Sequence, residues 1–343
     1  MGDAAAGAPT IAVVSDPAPA SSENTVEQIL LAAPRGYCAG VDRAVQTVER
    51  ALALHGAPVY VRKEIVHNKH VVGRLRERGA IFVEQETEVP EGAVTVFSAH
   101  GVAPSVRANA AARHLQTIDA TCPLVTKVHV EARRFAEQRY TIVLVGHDGH
   151  EEVEGTMGEA PERIVLVQSE RDVDELQVED PERVAFITQT TLSVDETAAI
   201  LARLRERFPS IVGPRTDDIC YATTNRQAAV KQMADACDLV LVIGSRNSSN
   251  SVRLVEVARE CATEAYLIDN SGEVREEWLA GKRVVGISSG ASAPDELVQE
   301  LLDFFRARGV PNEGISEFHV IREDVRFMLP KPVRTAVAGG GAA

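Results

Sequence analysis

Short apolar runs alternate with amphipathic stretches along this 343-residue chain, and nearly every run empties into a cluster of His, Ser, Thr, Asn or Gly. Residues 29–32, 59–61, 93–97, 141–145, 184–187, 239–243 and 284–287 read as buried strands. Helical patterning follows over 41–54, 68–78, 105–114, 125–138 and 223–236, and Ser193 before Glu196 has the look of a helix-capping box. Strand then helix, repeated, dictates an α/β fold with parallel sheets, because parallel strands need a crossover and the crossover here is helical. The polar clusters then fall at the carboxyl ends of strands. Helix N-termini point there, and anions bind there. The pattern predicts three similar α/β domains around a common centre, spanning 28–121, 122–219 and 220–330. Residues 1–27 are rich in Ala, Ser, Gly and Pro and lack Lys and Arg, so they are expected to form a disordered extension. Residues 331–343 are expected to be a flexible tail.

A net charge of −14 at pH 7 argues against broad contact with nucleic acid or a membrane surface. No apolar run has the length of a membrane span. A small anionic ligand stays compatible, since local groups set the field inside a pocket. The five cysteines are widely spread, with no close pairs and no secretory signal. That favours a reducing, cytoplasmic setting and metal or catalytic use over a disulfide scaffold. Cys237 and Cys261 lie in helical patterns beside apolar neighbours and read as small core residues. Cys38, Cys122 and Cys220 each sit between a strand end and a helix, among Gly, Pro and polar neighbours. Converging from three units, they would form a metal site one ligand short. Their spacing leaves two chemistries open: zinc completed by a histidine, or an iron–sulfur cluster with one iron free of protein sulfur.

His67, His100 and His150 also fall at strand ends. Any one of them would pass as a surface or capping residue. Three together indicate a shared pocket whose imidazoles donate to phosphate oxygens or move protons near neutral pH. Glu152 is one of four acids within 148–154. It belongs either to a solvated acidic loop or to a proton-donating site beside a metal. Ser248, Ser249 and Asn250, in Asn247-Ser248-Ser249-Asn250-Ser251, follow an apolar strand and open a helix, and Ser292 has a similar setting. Capping and phosphate binding use the same end of a helix, so both readings apply together. Walker A and Gly-x-Gly-x-x-Gly patterns are absent from the sequence.

The motifs follow one another in order from about residue 29 to 330. They are Arg35-Gly36-Tyr37-Cys38-Ala39-Gly40-Val41, Val66-His67-Asn68, Ser98-Ala99-His100-Gly101-Val102, Asp119-Ala120-Thr121-Cys122-Pro123-Leu124-Val125, Glu152-Val153-Glu154-Gly155-Thr156, Gln189-Thr190-Thr191-Leu192-Ser193, Ile219-Cys220-Tyr221-Ala222-Thr223-Thr224-Asn225-Arg226-Gln227, the 247–251 run and Gly290-Ala291-Ser292. As a set they resemble the 4-hydroxy-3-methylbut-2-enyl diphosphate reductase (LytB) family. The resemblance implies three α/β domains around a [4Fe–4S] cluster held by Cys38, Cys122 and Cys220, with the remaining iron facing a central cavity. It implies that His67, His100, His150, Ser248, Ser249, Asn250 and Ser292 hold a substrate diphosphate. Thr190 would contact the substrate hydroxyl region and Glu152 would supply protons. The implied reaction is reductive dehydroxylation to isopentenyl and dimethylallyl diphosphate, the last step of the non-mevalonate isoprenoid pathway. Ferredoxin or flavodoxin is the implied electron donor. Glu151 stands where many relatives carry Pro, which leaves open which of two adjacent acids acts. Two rival readings use the same cysteines: a non-catalytic iron–sulfur redox sensor, and a zinc-stabilised module that binds a phosphorylated metabolite. Neither needs the His, Ser and Glu groups together.

Overall fold

The computed structural model describes residues 25–334. Strand β1 (Gln28–Ala33) is followed by β2 (Val59–Arg62), β3 (Ala80–Val83), β4 (Val94–Phe97) and β5 (Gln116–Asp119), and these last four form one sheet in the order β3-β2-β4-β5. Strands β6 (Thr141–Val145), β7 (Ile164–Val167) and β8 (Val184–Thr188) form a second sheet, β7-β6-β8. The last four are β9 (Leu239–Ile243), β10 (Glu264–Ile268), β11 (Val284–Ser289) and β12 (Ile315–His319); with β1 they make a third sheet, β10-β9-β11-β1-β12. Every strand pairing is parallel. Helices cover both faces of the sheets, which is why central strands such as Leu-Val-Leu-Val-Ile in β9 are apolar and buried throughout rather than alternating.

Chain order and spatial order part company at β1. Residues 28–33 were expected in the first α/β domain, yet β1 pairs with β11 and β12 of the third sheet. Its two faces explain the choice. Ile29 and Leu31 pack with Leu241, Ile287 and Phe305, while Leu30 and Ala32 pack with Met233, Val240 and Val242. Both faces are thus covered by helices of that last sheet.

The ends of the chain also differ from expectation where they are described. Thr25 Oγ1 donates to the Leu279 carbonyl (3.0 Å), and Val26 is buried in the core of the third sheet. Lys331–Arg334 form a helical turn, with Val333 buried against the first sheet's core. The remainder of the expected extension and tail, 1–24 and 335–343, lies outside the described residues. Among the described residues no helix is long and apolar enough to cross a membrane.

Candidate active site

Each of the three cysteines starts a helix. Cys38 caps Ala39–His55, Cys122 caps Pro123–Glu137, and Cys220 caps Tyr221–Ala234. Pro123 at the first helical position suits this geometry, because its missing N–H is one the helix leaves unused there. Each cysteine N–H is tied to a neighbouring strand end: Cys38 to the Ala291 carbonyl (3.1 Å), Cys122 to Ala99 (2.9 Å) and Cys220 to Thr190 (3.1 Å). The Sγ of Cys38 accepts from the Val41 N–H (3.5 Å), and that of Cys220 from Thr223 N–H (3.4 Å). A Cβ placed on Gly40 would lie 2.6 Å from Sγ of Cys122 and 3.8 Å from Sγ of Cys38, so only glycine leaves that space free.

Burial pushes the Cys122 thiol up to about 12 and Cys220 up to about 11, and raises Cys38 as well. Three helix N-termini pull the other way, but desolvation wins. Without a cation these groups keep their protons at neutral pH. A metal centre would supply the charge that turns them into thiolates, so the donor set fits one. Cys237 and Cys261 instead pack, only partly buried, against the third sheet's core, and neither lies inside a helix: Cys237 follows Tyr221–Ala234 and Cys261 closes Ser249–Glu260.

The same three thiols line a cavity of about 650 Å³, mouth included, together with His67, His100, His150, Glu152, Thr190, Ser248, Ser249, Asn250 and Ser292. All twelve candidate residues therefore meet at one place. The imidazoles of His67 and His100 are stacked with centroids 4.0 Å apart, and His150 stands edge-on to both, at 5.5 and 6.0 Å. Nδ1 of His150 accepts the Glu152 backbone N–H (3.1 Å), which places the proton of its neutral ring on Nε2. His100 Nδ1 lies 3.1 Å from Glu151 Oε2. His67, His100 and Glu151 bring one ligand atom each within 4.8 Å of one another. The stacked rings, however, run their in-plane lone pairs side by side rather than toward one point, which is poor geometry for a metal ion.

Ser248 caps the helix Ser249–Glu260, and Ser292 Oγ donates to the His67 carbonyl (2.9 Å). Asn250 Oδ1 accepts from the Ala291 N–H (2.8 Å), while its buried Nδ2 has no partner. An orphaned buried donor lining a cavity is the kind of group that a ligand oxygen satisfies. Among the described residues, Lys and Arg are absent from the lining. A bound anion would meet neutral donors, a helix N-terminus and imidazoles.

The acidic stretch resolves into two roles. Residues Glu151–Met157 are helical, not an open loop. Glu152 is buried; both its oxygens lie within hydrogen-bond reach of Thr190 Oγ1 (3.0 and 2.9 Å), and its Oε2 accepts the Thr190 N–H (3.0 Å). Glu151 turns the other way, to His100 and to Ser98 Oγ (3.4 Å).

A model of the LytB protein family matches residues 29–306. The chain belongs to the LytB family. A relative from Nocardia farcinica named 4-hydroxy-3-methylbut-2-enyl diphosphate reductase is 60% identical over 313 residues, covering 91% of this chain and 93% of that one. A relative of the same name from Leifsonia xyli is 59% identical over 314 residues, with 91% and 93% covered. A solved E-1-hydroxy-2-methyl-but-2-enyl-4-diphosphate reductase from Plasmodium falciparum superposes with a TM-score of 0.85 at 38% identity, over 90% of this chain and 97% of that one. A second solved reductase, titled the terminal enzyme of the non-mevalonate pathway, gives 0.60 at 32% identity, over 82% and 99%.

This LytB cavity also has walls that residue-by-residue reading passed over. Val41, Val66, Ala99, Leu124 and Val125 supply apolar surface, and Thr191 and Thr223 add hydroxyls. The signal was adjacency, since each lies within or one or two residues beyond a motif carrying a His, Cys or Thr of the site. Arg226, fully buried, donates to the Gly36 carbonyl (2.7 Å) and pairs with Glu323 (3.0 Å), bracing the loop that presents Cys38.

The imidazoles yield a titration test. Burial, then the neighbouring His150, hold His100 down to about 4, and burial also lowers His67 and His150. All three are uncharged at pH 7 in the free protein. A bound anion favours the charged ring, so the midpoint of His100 is expected to rise by about one unit or more on adding inorganic diphosphate. With the bound value above the free value, affinity is fullest below the free midpoint and falls as pH rises through the bound one. Histidine ¹⁵N NMR reads this directly; an unmoved midpoint would mean that neutral donors alone carry the ligand.

Proposed function

We propose that this chain reduces 4-hydroxy-3-methylbut-2-enyl diphosphate to isopentenyl and dimethylallyl diphosphate, the last step of the non-mevalonate isoprenoid pathway, in a reducing cytoplasm. The observation that carries the reading is one cavity holding three thiols, a buried Glu152–Thr190 pair and an anion cradle without fixed cations. Cys38, Cys122 and Cys220 would hold a [4Fe–4S] cluster. When bound, it supplies single electrons and a Lewis-acidic iron.

The rest of the chemistry falls to the chain. His67, His100, His150, Ser248, Ser249, Asn250 and Ser292 bind the diphosphate. Its remote binding energy holds the short carbon skeleton against the thiol end of the cavity. Val41, Leu124 and Val125 exclude water beside the reacting carbons. Thr190 positions the hydroxyl end. When Glu152 carries a proton it donates to Thr190 Oγ1, and the threonine hydrogen turns to the departing oxygen. The carbon–oxygen bond breaks, two electrons and two protons are consumed, and water leaves.

The test is anaerobic reconstitution followed by turnover with dithionite-reduced methyl viologen. Iron and sulfide at about four per chain, visible absorbance, and both C5 diphosphates as products are expected. A colourless protein with one zinc, or a cluster-loaded protein that leaves the substrate intact, would reject the reading in favour of the zinc module or the sensor.

A further inference from the structure

The last described segment of the chain is a strap tied to the helices that Cys38 and Cys220 begin and, through Arg43, to the segment ahead of Cys122. Residues 320–330 run without regular structure into the turn Lys331–Arg334. Glu323 accepts from Asn225 Nδ2 (3.1 Å) and Arg226 Nη1 (3.0 Å), in the second turn of the helix that Cys220 begins. The Met328 carbonyl accepts from Arg43 Nε (2.9 Å), on the helix that Cys38 begins. Arg43 Nη1 also donates to the carbonyls of Ala120 (2.9 Å) and Thr121 (3.0 Å), just ahead of Cys122. Leu329 and Val333 anchor the strap in the first sheet's core.

Its outer side has an unusual composition for an acidic protein. Ile321, Val325 and Met328 are 43%, 39% and 76% exposed, three large apolar side chains within eight residues. Arg322, Arg326, Lys331 and Arg334 are exposed around them. Among the described residues none of these four has a carboxylate partner; Arg334 touches only Met328 Sδ (3.9 Å). Asp324 is the exposed carboxylate in their midst, Glu323 being turned inward onto Arg226. Elsewhere arginines and lysines are commonly ion-paired, as in Arg203 with Asp174 and Glu206, or Lys231 with Asp195.

We propose that this strap is the docking surface for a small acidic protein carrying a one-electron centre. The inference rests on the reductase reading, which needs electrons from outside the chain. Two reduced carriers are oxidised per turnover, each giving one electron; with two protons these break the substrate's carbon–oxygen bond and release water. A chain of net charge −14 repels an acidic partner over most of its surface, so a local basic rim selects where encounter succeeds. The apolar centre gives the contact that excludes water once the rim has oriented the partner. A carrier seated there is separated from the thiols by the first turns of the helices that present them.

The experiment compares the wild type with the triple variant Arg322→Glu/Arg326→Glu/Lys331→Glu, both cluster-loaded, using an acidic ferredoxin as probe. Turnover driven by reduced methyl viologen is expected to stay within about twofold, while KM for reduced ferredoxin rises about tenfold or more and its dependence on ionic strength flattens. Calorimetric binding of the oxidised ferredoxin at low salt should weaken in parallel. The triple glutamine variant should show the same changes at smaller size, which keeps the test valid should charge reversal impair folding. Unchanged ferredoxin KM and binding in both variants would overturn the docking surface. A wild type inactive with viologen would instead overturn the reductase reading, and the calorimetry would still decide the docking surface.

Discussion

Glu152→Gln is expected to keep its iron and bind the substrate diphosphate while losing turnover by about 10²–10⁴-fold. Glutamine preserves the shape of the buried site and still accepts from the Thr190 N–H and hydroxyl. It cannot carry a proton and give it up. The loss should therefore sit in kcat, with KM little changed, since the carboxylate is asked to act only as the oxygen departs. Thr190→Val should share part of the defect, because it removes the hydroxyl through which the proton passes and leaves Glu152 without one of its donors. Iron content, diphosphate affinity and single-turnover rate measured together separate these outcomes. Normal turnover in Glu152→Gln would remove this carboxylate from the chemistry. It would also shift attention to Glu151, which the structure shows bonded to His100 instead.

The second large effect is expected from Cys122→Ser. Cys122 lacks the close side-chain cap hydrogen bond that Cys38 and Cys220 accept, and the Leu124 and Val125 N–H groups that favour its thiolate would equally serve a serine oxygen, so little in the protein fold requires sulfur at that position. Serine should preserve the helix start, since serine is itself a favoured N-cap. It should nonetheless abolish stable iron and sulfide incorporation, with the visible absorbance, because a hard, weakly acidic hydroxyl replaces a soft thiolate. Turnover would fall below detection. Cys261→Ser is the control. Its Sγ reaches only toward the Lys231 carbonyl (3.8 Å), and the cluster assay should not register the change. Full iron loading in Cys122→Ser would show that the centre is held elsewhere.

The division between what was legible and what was not follows burial. Seven strands announce themselves by largely apolar runs, and the residues after them deliver ten of the twelve side chains of the cavity, all but Cys122 and Cys220. The strands outside those seven runs are β3, β5, β7, β10 and β12, and each is a sheet edge. An edge strand faces solvent on one side. Ile81 in β3 and Val165 in β7 are exposed, and β12 is exposed or half-exposed along its length. Nothing there produces a long hydrophobic run. The placement of β1 was hidden for a different reason. A strand apolar on both faces fits any parallel sheet, and its neighbours are fixed by which helices complete the layers. The acids of 148–154 were ambiguous because sequence shows charge but not direction. One helical turn sends Glu152 to Thr190 and Glu151 to His100, a distinction that needs the helix axis to be known.

Held by the proposed ligands Cys38, Cys122 and Cys220, at the ends of three separately hydrogen-bonded sheets, a metal centre would act as a shared fastener. Each sheet has its own apolar packing, so stripping the iron should melt none of them. It should instead release the junction where they meet. Oxygen damage to such a protein would then register as faster amide exchange at the helix starts after residues 38, 122 and 220, while strand interiors stay protected. Loss of activity would precede loss of structure.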